Sequence, residues 1–161
     1  MMEKTRCEAL ARNVVSELAR RGIRDSKAEI VSSTESILEW RDGSLDTLSG
    51  ATSATLEVTL LKDGQYTVQS TGDLRSNALT GFLDDAVAFL SLMPGDPYRT
   101  PPDPALQGSS GHDLALLDPA STDASLDERR ETLASMYDRA RSSDARIVEA
   151  VANSTQRRTV V

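Results

Sequence analysis

Histidine, cysteine and aromatic residues are scarce in this chain, and each scarcity removes a class of function. One histidine, His112, and one cysteine, Cys7, stand about a hundred residues apart in 161 residues. A zinc site takes three or four ligands, normally with at least one Cys or His pair. There is no His-Glu-x-x-His, no other helical His pair and no Cys-x-x-Cys. No catalytic, cofactor-binding or metal-ligating residue is therefore assigned in this chain. A lone cysteine also excludes an internal disulfide, and its place on an apolar helix stripe marks Cys7 as a buried thiol. Aromatics make up 4% against 39% apolar residues overall, so the core has to be built from Leu, Val, Ile and Ala. Basic residues number 18 against 25 acidic, a net charge of −7. Phosphate backbones repel such a chain, which argues against non-specific nucleic-acid binding. The basic pairs Arg20/Arg21 and Arg157/Arg158 are too short to change that. No apolar run approaches the ~20 residues of a membrane span, and the start lacks the apolar stretch of a signal peptide. A cytoplasmic location is the default expectation.

What is present reads as an α+β domain. Cys7, Leu10, Ala11, Val14, Leu18 and Ala19 recur at helical spacing over residues 4–21, and Gly22 stands where a C-terminal cap belongs. From residue 27 to 71 the period changes to two. Ala28, Ile30 and Ser32 alternate with Glu29, Val31 and Ser33; a second run covers 36–41 and a returning one 44–49. Leu56, Val58 and Leu60 form the inward side of 54–61, which returns through 65–70. Asp42-Gly43 and Asp63-Gly64 are tight-hairpin dipeptides. The expectation is an antiparallel β meander of four or five strands with one dry face. A helix over 75–93, with Leu79, Phe82, Leu83, Ala86, Phe89, Leu90 and Met93 as its stripe, covers that face together with the first helix.

All six prolines fall in residues 94–119, with Gly95, Gly108 and Gly111. This composition predicts an extended proline-rich connector, laid on the surface by Leu114, Leu116 and Leu117. Ser125-Leu126-Asp127-Glu128 has capping-box spacing and opens a third helix whose apolar side is Leu126, Leu133, Tyr137 and Ala140. A terminal β-hairpin is expected next: a strand over 146–152, a turn at Asn153-Ser154 and a return over 157–161. The organisation expected is 1–93 as the helix–meander–helix layer, 94–124 as connector and 125–161 as helix and hairpin. The apolar end Thr159-Val160-Val161 would leave a strand edge open. One domain of a longer polypeptide, continuing into a C-terminal domain, is therefore expected.

Few groups invite a chemical reading. His112 beside Asp113 could be a base oriented by a carboxylate, but its proline-rich surroundings favour a solvated loop histidine. Asp84 and Asp85 are adjacent on a helix and point about 100° apart, so they do not converge on one ion. Asp123, Asp127 and Glu128 are explained by the helix N-terminus. Gly43, Gly50, Gly64 and Gly72 sit at turns and not in a phosphate loop. Trp40 beside Arg41 marks either partial burial on the sheet or a binding surface, and burial is preferred.

The order of elements, with several local stretches, resembles the N-terminal domain of the TldD/PmbA family, the modulators of DNA gyrase. The stretches are Ala28-Glu29-Ile30-Val31-Ser32-Ser33-Thr34, Leu56-Glu57-Val58-Thr59 leading into Lys62-Asp63-Gly64, Ser70-Thr71-Gly72-Asp73-Leu74-Arg75, Pro94-Gly95-Asp96-Pro97-Tyr98 and Asp144-Ala145-Arg146-Ile147. Asp113-Leu114-Ala115-Leu116-Leu117-Asp118-Pro119 looks closer to the PmbA (TldE) branch. In the family, a TldD-type subunit holds zinc through a histidine-containing helical motif and pairs with a TldE-type subunit that lacks it, and the pair trims unfolded peptides. The resemblance implies a non-catalytic domain that forms a chamber or subunit interface, with zinc only in the full complex. It implies a TldD-like partner subunit or self-association, and unfolded peptide as ligand. The open strand edge would accept an extended peptide by strand addition, but pairing of two copies edge to edge is preferred. The alternatives are the gating domain of a TldD-like zinc peptidase and a stand-alone interaction module.

Overall fold

The computed structural model describes residues 1–106 and 124–161. Among these the elements are α1 (Lys4–Arg20), β1 (Asp25–Arg41), β2 (Ser44–Lys62), β3 (Gln65–Thr71), α2 (Ser76–Leu90), a 3-10 turn at Pro104–Leu106, α3 (Leu126–Ser143) and β4 (Val151–Val160). The strands form one antiparallel sheet in the order β3-β2-β1-β4. The fold is thus the expected mix of helices and antiparallel meander. Both dipeptide turns are there: Asp42 and Gly43 have φ of 50° and 76°, Asp63 and Gly64 have 52° and 76°. Left-handed backbone at both central positions is the type I′ turn that matches strand twist.

Two expectations are corrected. The meander has three strands, because β1 runs unbroken for 17 residues and β2 for 19. The small polar stretches at 32–34 and 49–53 resemble loops in composition. They stay extended because β1 and β2 are hydrogen-bonded neighbours in the sheet, so their backbone groups find ladder partners there. The terminal hairpin is replaced by the single strand β4. Asn153-Ser154 carries no glycine and no positive φ, and Ser154 is engaged instead by Arg129 (below). Residues 145–146 form a turn in which the Asp144 carboxylate accepts the Arg146 backbone N–H at 2.8 Å, and 147–150 are irregular.

By contacts the described residues fall into two compact units, 1–33 with 52–106 and 159–161, and 34–51 with 124–158. In the first, α1 and α2 bury their stripes against Ile30, Leu56, Val58 and Leu60. Cys7 is buried in that cluster as anticipated, whereas Ala19 and Phe89 stay exposed. The end of α1 is fixed by Gly22, φ 82°. The Gly22 N–H bonds the Ala19 carbonyl and the Ile23 N–H the Leu18 carbonyl, each at 3.0 Å, a Schellman pair with Ile23 buried as its apolar contact. Asp84 accepts from Arg21 at 2.8 Å, so this carboxylate ties α2 to α1.

The start of α2 has no side-chain cap and no acidic first turn. Asp73, just ahead of it, accepts from the Arg75 backbone N–H at 3.1 Å and from the Arg75 guanidinium. Those bonds, the side-chain one foremost, hold its carboxyl down at about 2. A depressed carboxyl contributes stability that is present above the unfolded value of 3.8 and is lost as pH falls through about 2. The Asp73→Asn variant should therefore be the less stable protein at pH 7, with the gap to the parent closing between pH 4 and 2. Denaturant midpoints measured across that range check it, and a gap independent of pH would contradict it.

In the second unit α3 begins with the expected capping box. Ser125 Oγ accepts from the Glu128 N–H at 3.2 Å, and Glu128 accepts from the Ser125 N–H at 2.7 Å. Leu133 packs with Leu38 and Ala152, flanked by Trp40, Leu45 and Tyr137. Trp40 is thus partly buried, the preferred reading, while Leu126 points outward.

Candidate functional site

Among the described residues, the groups singled out in the sequence do not assemble into a catalytic centre. Asp84 is spent on Arg21, Trp40 packs in the second unit, and Asp127 and Glu128 serve the start of α3. His112, Asp113, Asp123, the run 113–119 and the apolar insert of the connector lie outside the described residues. No group of three or more His, Cys, Asp or Glu occurs among the described residues, and Cys7 is enclosed by apolar side chains. No helix among the described residues is long and apolar enough to cross a membrane.

The feature that composition did not announce is a cleft of about 780 Å³ in the first unit. Its lining includes Arg24 just before β1, Asp25, Ser26 and Lys27 at its start, Leu61 and Tyr66 from the second hairpin, and residues 99–102. Period-two alternation explains the hairpin's share. Leu60 and Thr67 are buried partners in the β2–β3 register, so the next pair, Leu61 and Tyr66, turns to the opposite face. The Gly22 cap, in turn, delivers Arg24 and Asp25 to the mouth of β1.

Arg99 is brought in by a turn bolted to the Asp63-Gly64 corner. The Asp96 N–H donates to the Gly64 carbonyl at 3.1 Å. Gln65 Nε2 donates to the carbonyls of Ser91 and Met93 at 3.3 and 2.7 Å, closing the end of α2. Asp96 then accepts from the Tyr98 N–H at 2.9 Å and, through its carbonyl, from the Arg99 N–H at 3.0 Å. The result sets the Arg99 guanidinium over the Tyr66 ring, 4.7 Å from its centroid, a cation–π contact.

The charges are unequal. Lys27 is held by Glu29 at 2.5 Å, a bond that raises its pKa. Among the described residues no carboxylate partners Arg24 or Arg99. Ser26 Oγ is shut from solvent without a hydrogen-bond partner. The cleft thus offers positive charge, an aromatic face and apolar walls, a set equipped for binding. The only sequence traces of it were the turn-forming Pro94-Gly95-Asp96-Pro97 and the outward phase of Tyr66.

No protein-family model matches the chain, and no curated protein matches it. Solved structures do. A candidate modulator of DNA gyrase from Bacteroides thetaiotaomicron is 25% identical with a TM-score of 0.83, over 94% of this chain and 35% of that one. A second candidate modulator of DNA gyrase, from Thermotoga maritima, is 15% identical with a TM-score of 0.59, over 95% of this chain and 37% of that one. TldE from Thermococcus kodakarensis is 13% identical with a TM-score of 0.70, over 94% and 34% respectively. The last two likenesses are of fold alone. The chain spans about a third of the length of each of these proteins.

Proposed function

From the premise that this chain matches the TldD/PmbA family, we propose that it is the N-terminal, non-catalytic domain of a TldE/PmbA-like subunit. In this reading it works in the cytoplasm, within a zinc metallopeptidase complex that processes unfolded peptides. It contributes to the chamber wall or the subunit interface, and a TldD-like partner supplies the zinc. The observation that carries the reading is the near-complete coverage of this chain against about a third of longer proteins of the same fold.

The test uses the full protein to which the chain belongs, with and without the TldD-type subunit encoded in the same genome. The expected result is a mixed assembly in size-exclusion chromatography, with zinc in the partner and cleavage of unfolded casein only when both are present. Stoichiometric zinc and cleavage by this protein alone would overturn the assignment, as would failure of the two to associate.

A further inference from the structure

We propose that the cleft of the first unit receives a single carboxylate carried on an apolar body, as offered by the carboxyl end of a peptide that finishes in a large apolar residue. Four charged residues line it: Arg24, Asp25, Lys27 and Arg99. Glu29 neutralises Lys27, which leaves the two arginines free of carboxylate partners among the described residues. A guanidinium over an aromatic ring is held by its face, so its edge N–H groups remain available for a two-pronged bond to a carboxylate. Tyr66 holds Arg99 in that way. Ser26 adds a hydroxyl with no partner, and a buried group left unpaired favours any rotation that gives it one.

Charge and shape narrow the ligand. The chain as a whole carries −7, and Asp25 sits beside the cations, so a polyphosphate or nucleic acid meets net repulsion. One negative charge in a cleft whose lining holds two arginines does not. Leu61, Pro101 and the Tyr66 ring provide apolar wall for the rest of the ligand. The volume falls within the roughly 300–1,000 Å³ usual for small-ligand clefts. Only the choice of a peptide as the source of the carboxylate rests on the peptide-processing reading. The carboxylate chemistry stands on the cleft itself.

Isothermal titration with the full chain tests this, using acetyl-Gly-Ser-Gly-Ser-Leu-Leu as free acid, the same peptide as C-terminal amide, and N-acetyl-leucine. The acid should bind saturably, and the amide should bind at least about tenfold more weakly, the factor for one lost charge-assisted bond. Arg99→Gln and Arg24→Gln, both of exposed side chains, should each weaken the acid about as much and leave the amide unchanged. N-acetyl-leucine binding as tightly as the peptide supports a site for the terminal residue alone. A tighter peptide supports a site that follows the chain further. Equal affinity for acid and amide, or no saturable binding at millimolar ligand, overturns the proposal. Subunit assembly and casein cleavage do not enter this readout, so its failure leaves the test of the proposed function standing.

Discussion

Gly64→Ala is expected to cost far more stability than Gly43→Ala, although both glycines occupy the same position of the same kind of turn. Each has φ of 76°, so each substitution meets the left-handed backbone penalty of about 1–2 kcal/mol. The surroundings decide the rest. A Cβ at Gly43 meets nothing within 4 Å, whereas at Gly64 it falls 2.5 Å from the Asp96 carbonyl oxygen and 3.1 Å from two further Asp96 backbone atoms. Backbone cannot swing aside as a flexible side chain does, so the corner must open and release the Asp96–Gly64 hydrogen bond. Crowding of that kind adds roughly 1–3 kcal/mol, for a total loss of roughly 2–5 kcal/mol against about 1–2 for Gly43→Ala. Urea denaturation of the two variants beside the parent measures both numbers, and equal losses would contradict the tight corner. The consequence reaches the cleft, because the Asp96 turn places Arg99 over Tyr66. A folded Gly64→Ala protein should therefore also bind the acid peptide more weakly, although residue 64 lines no part of the cleft.

The same corner shows which parts of the fold could be read from residues and which could not. Asp63-Gly64 announces its own turn, because the required backbone conformation depends on two neighbouring residues. The helix stripes, the Gly22 cap and the Ser125–Glu128 box are legible for the same reason: each is a local arrangement. The partner of the turn is not. Nothing in residues 63–65 states that Asp96 will dock there, thirty residues on, or that Arg99 will then reach Tyr66. The strand count failed for a related reason. Whether a Ser/Thr-rich stretch stays extended depends on having a strand beside it to pair with, and that is a property of the sheet. The expected terminal hairpin failed at Asn153-Ser154 because the decisive contact is again distant, the Arg129 side chain. The candidate cleft joins three remote stretches, and so it was the least visible feature.

Arg129 is where a long-range contact should have the clearest energetic signature. By pattern it is one more charged residue on a polar helix, yet it is only 8% exposed. All five of its N–H groups are used. Nε donates to Ser154 Oγ at 3.1 Å, one terminal nitrogen to Ser36 Oγ and Gln156 Oε1 at 3.0 and 3.3 Å, the other to the carbonyls of Ser36 and Ser154 at 3.0 Å each. It thus clamps α3 to β1 and β4 within the second unit. Every acceptor is neutral, so two effects oppose each other when the residue is replaced. Removing a buried charge that no carboxylate offsets recovers desolvation energy, and apolar replacements of buried charges are sometimes stabilising for that reason. Against this stand five acceptors that lose their donors. The two serine hydroxyls can turn to donate, but the two backbone carbonyls and the Gln156 oxygen cannot all be served. Unpaired buried acceptors cost about 1–3 kcal/mol each and do not add fully, so Arg129→Met should lose roughly 3–4 kcal/mol. Lysine keeps the charge but has three donors at one point and cannot span both strands, so Arg129→Lys should still lose roughly 2 kcal/mol. Amide exchange locates the effect: protection should fall over residues 34–41 and 151–158 before it falls over 56–61 in the first unit. A methionine variant as stable as the parent would show that the recovered desolvation wins and that the clamp adds no net stability.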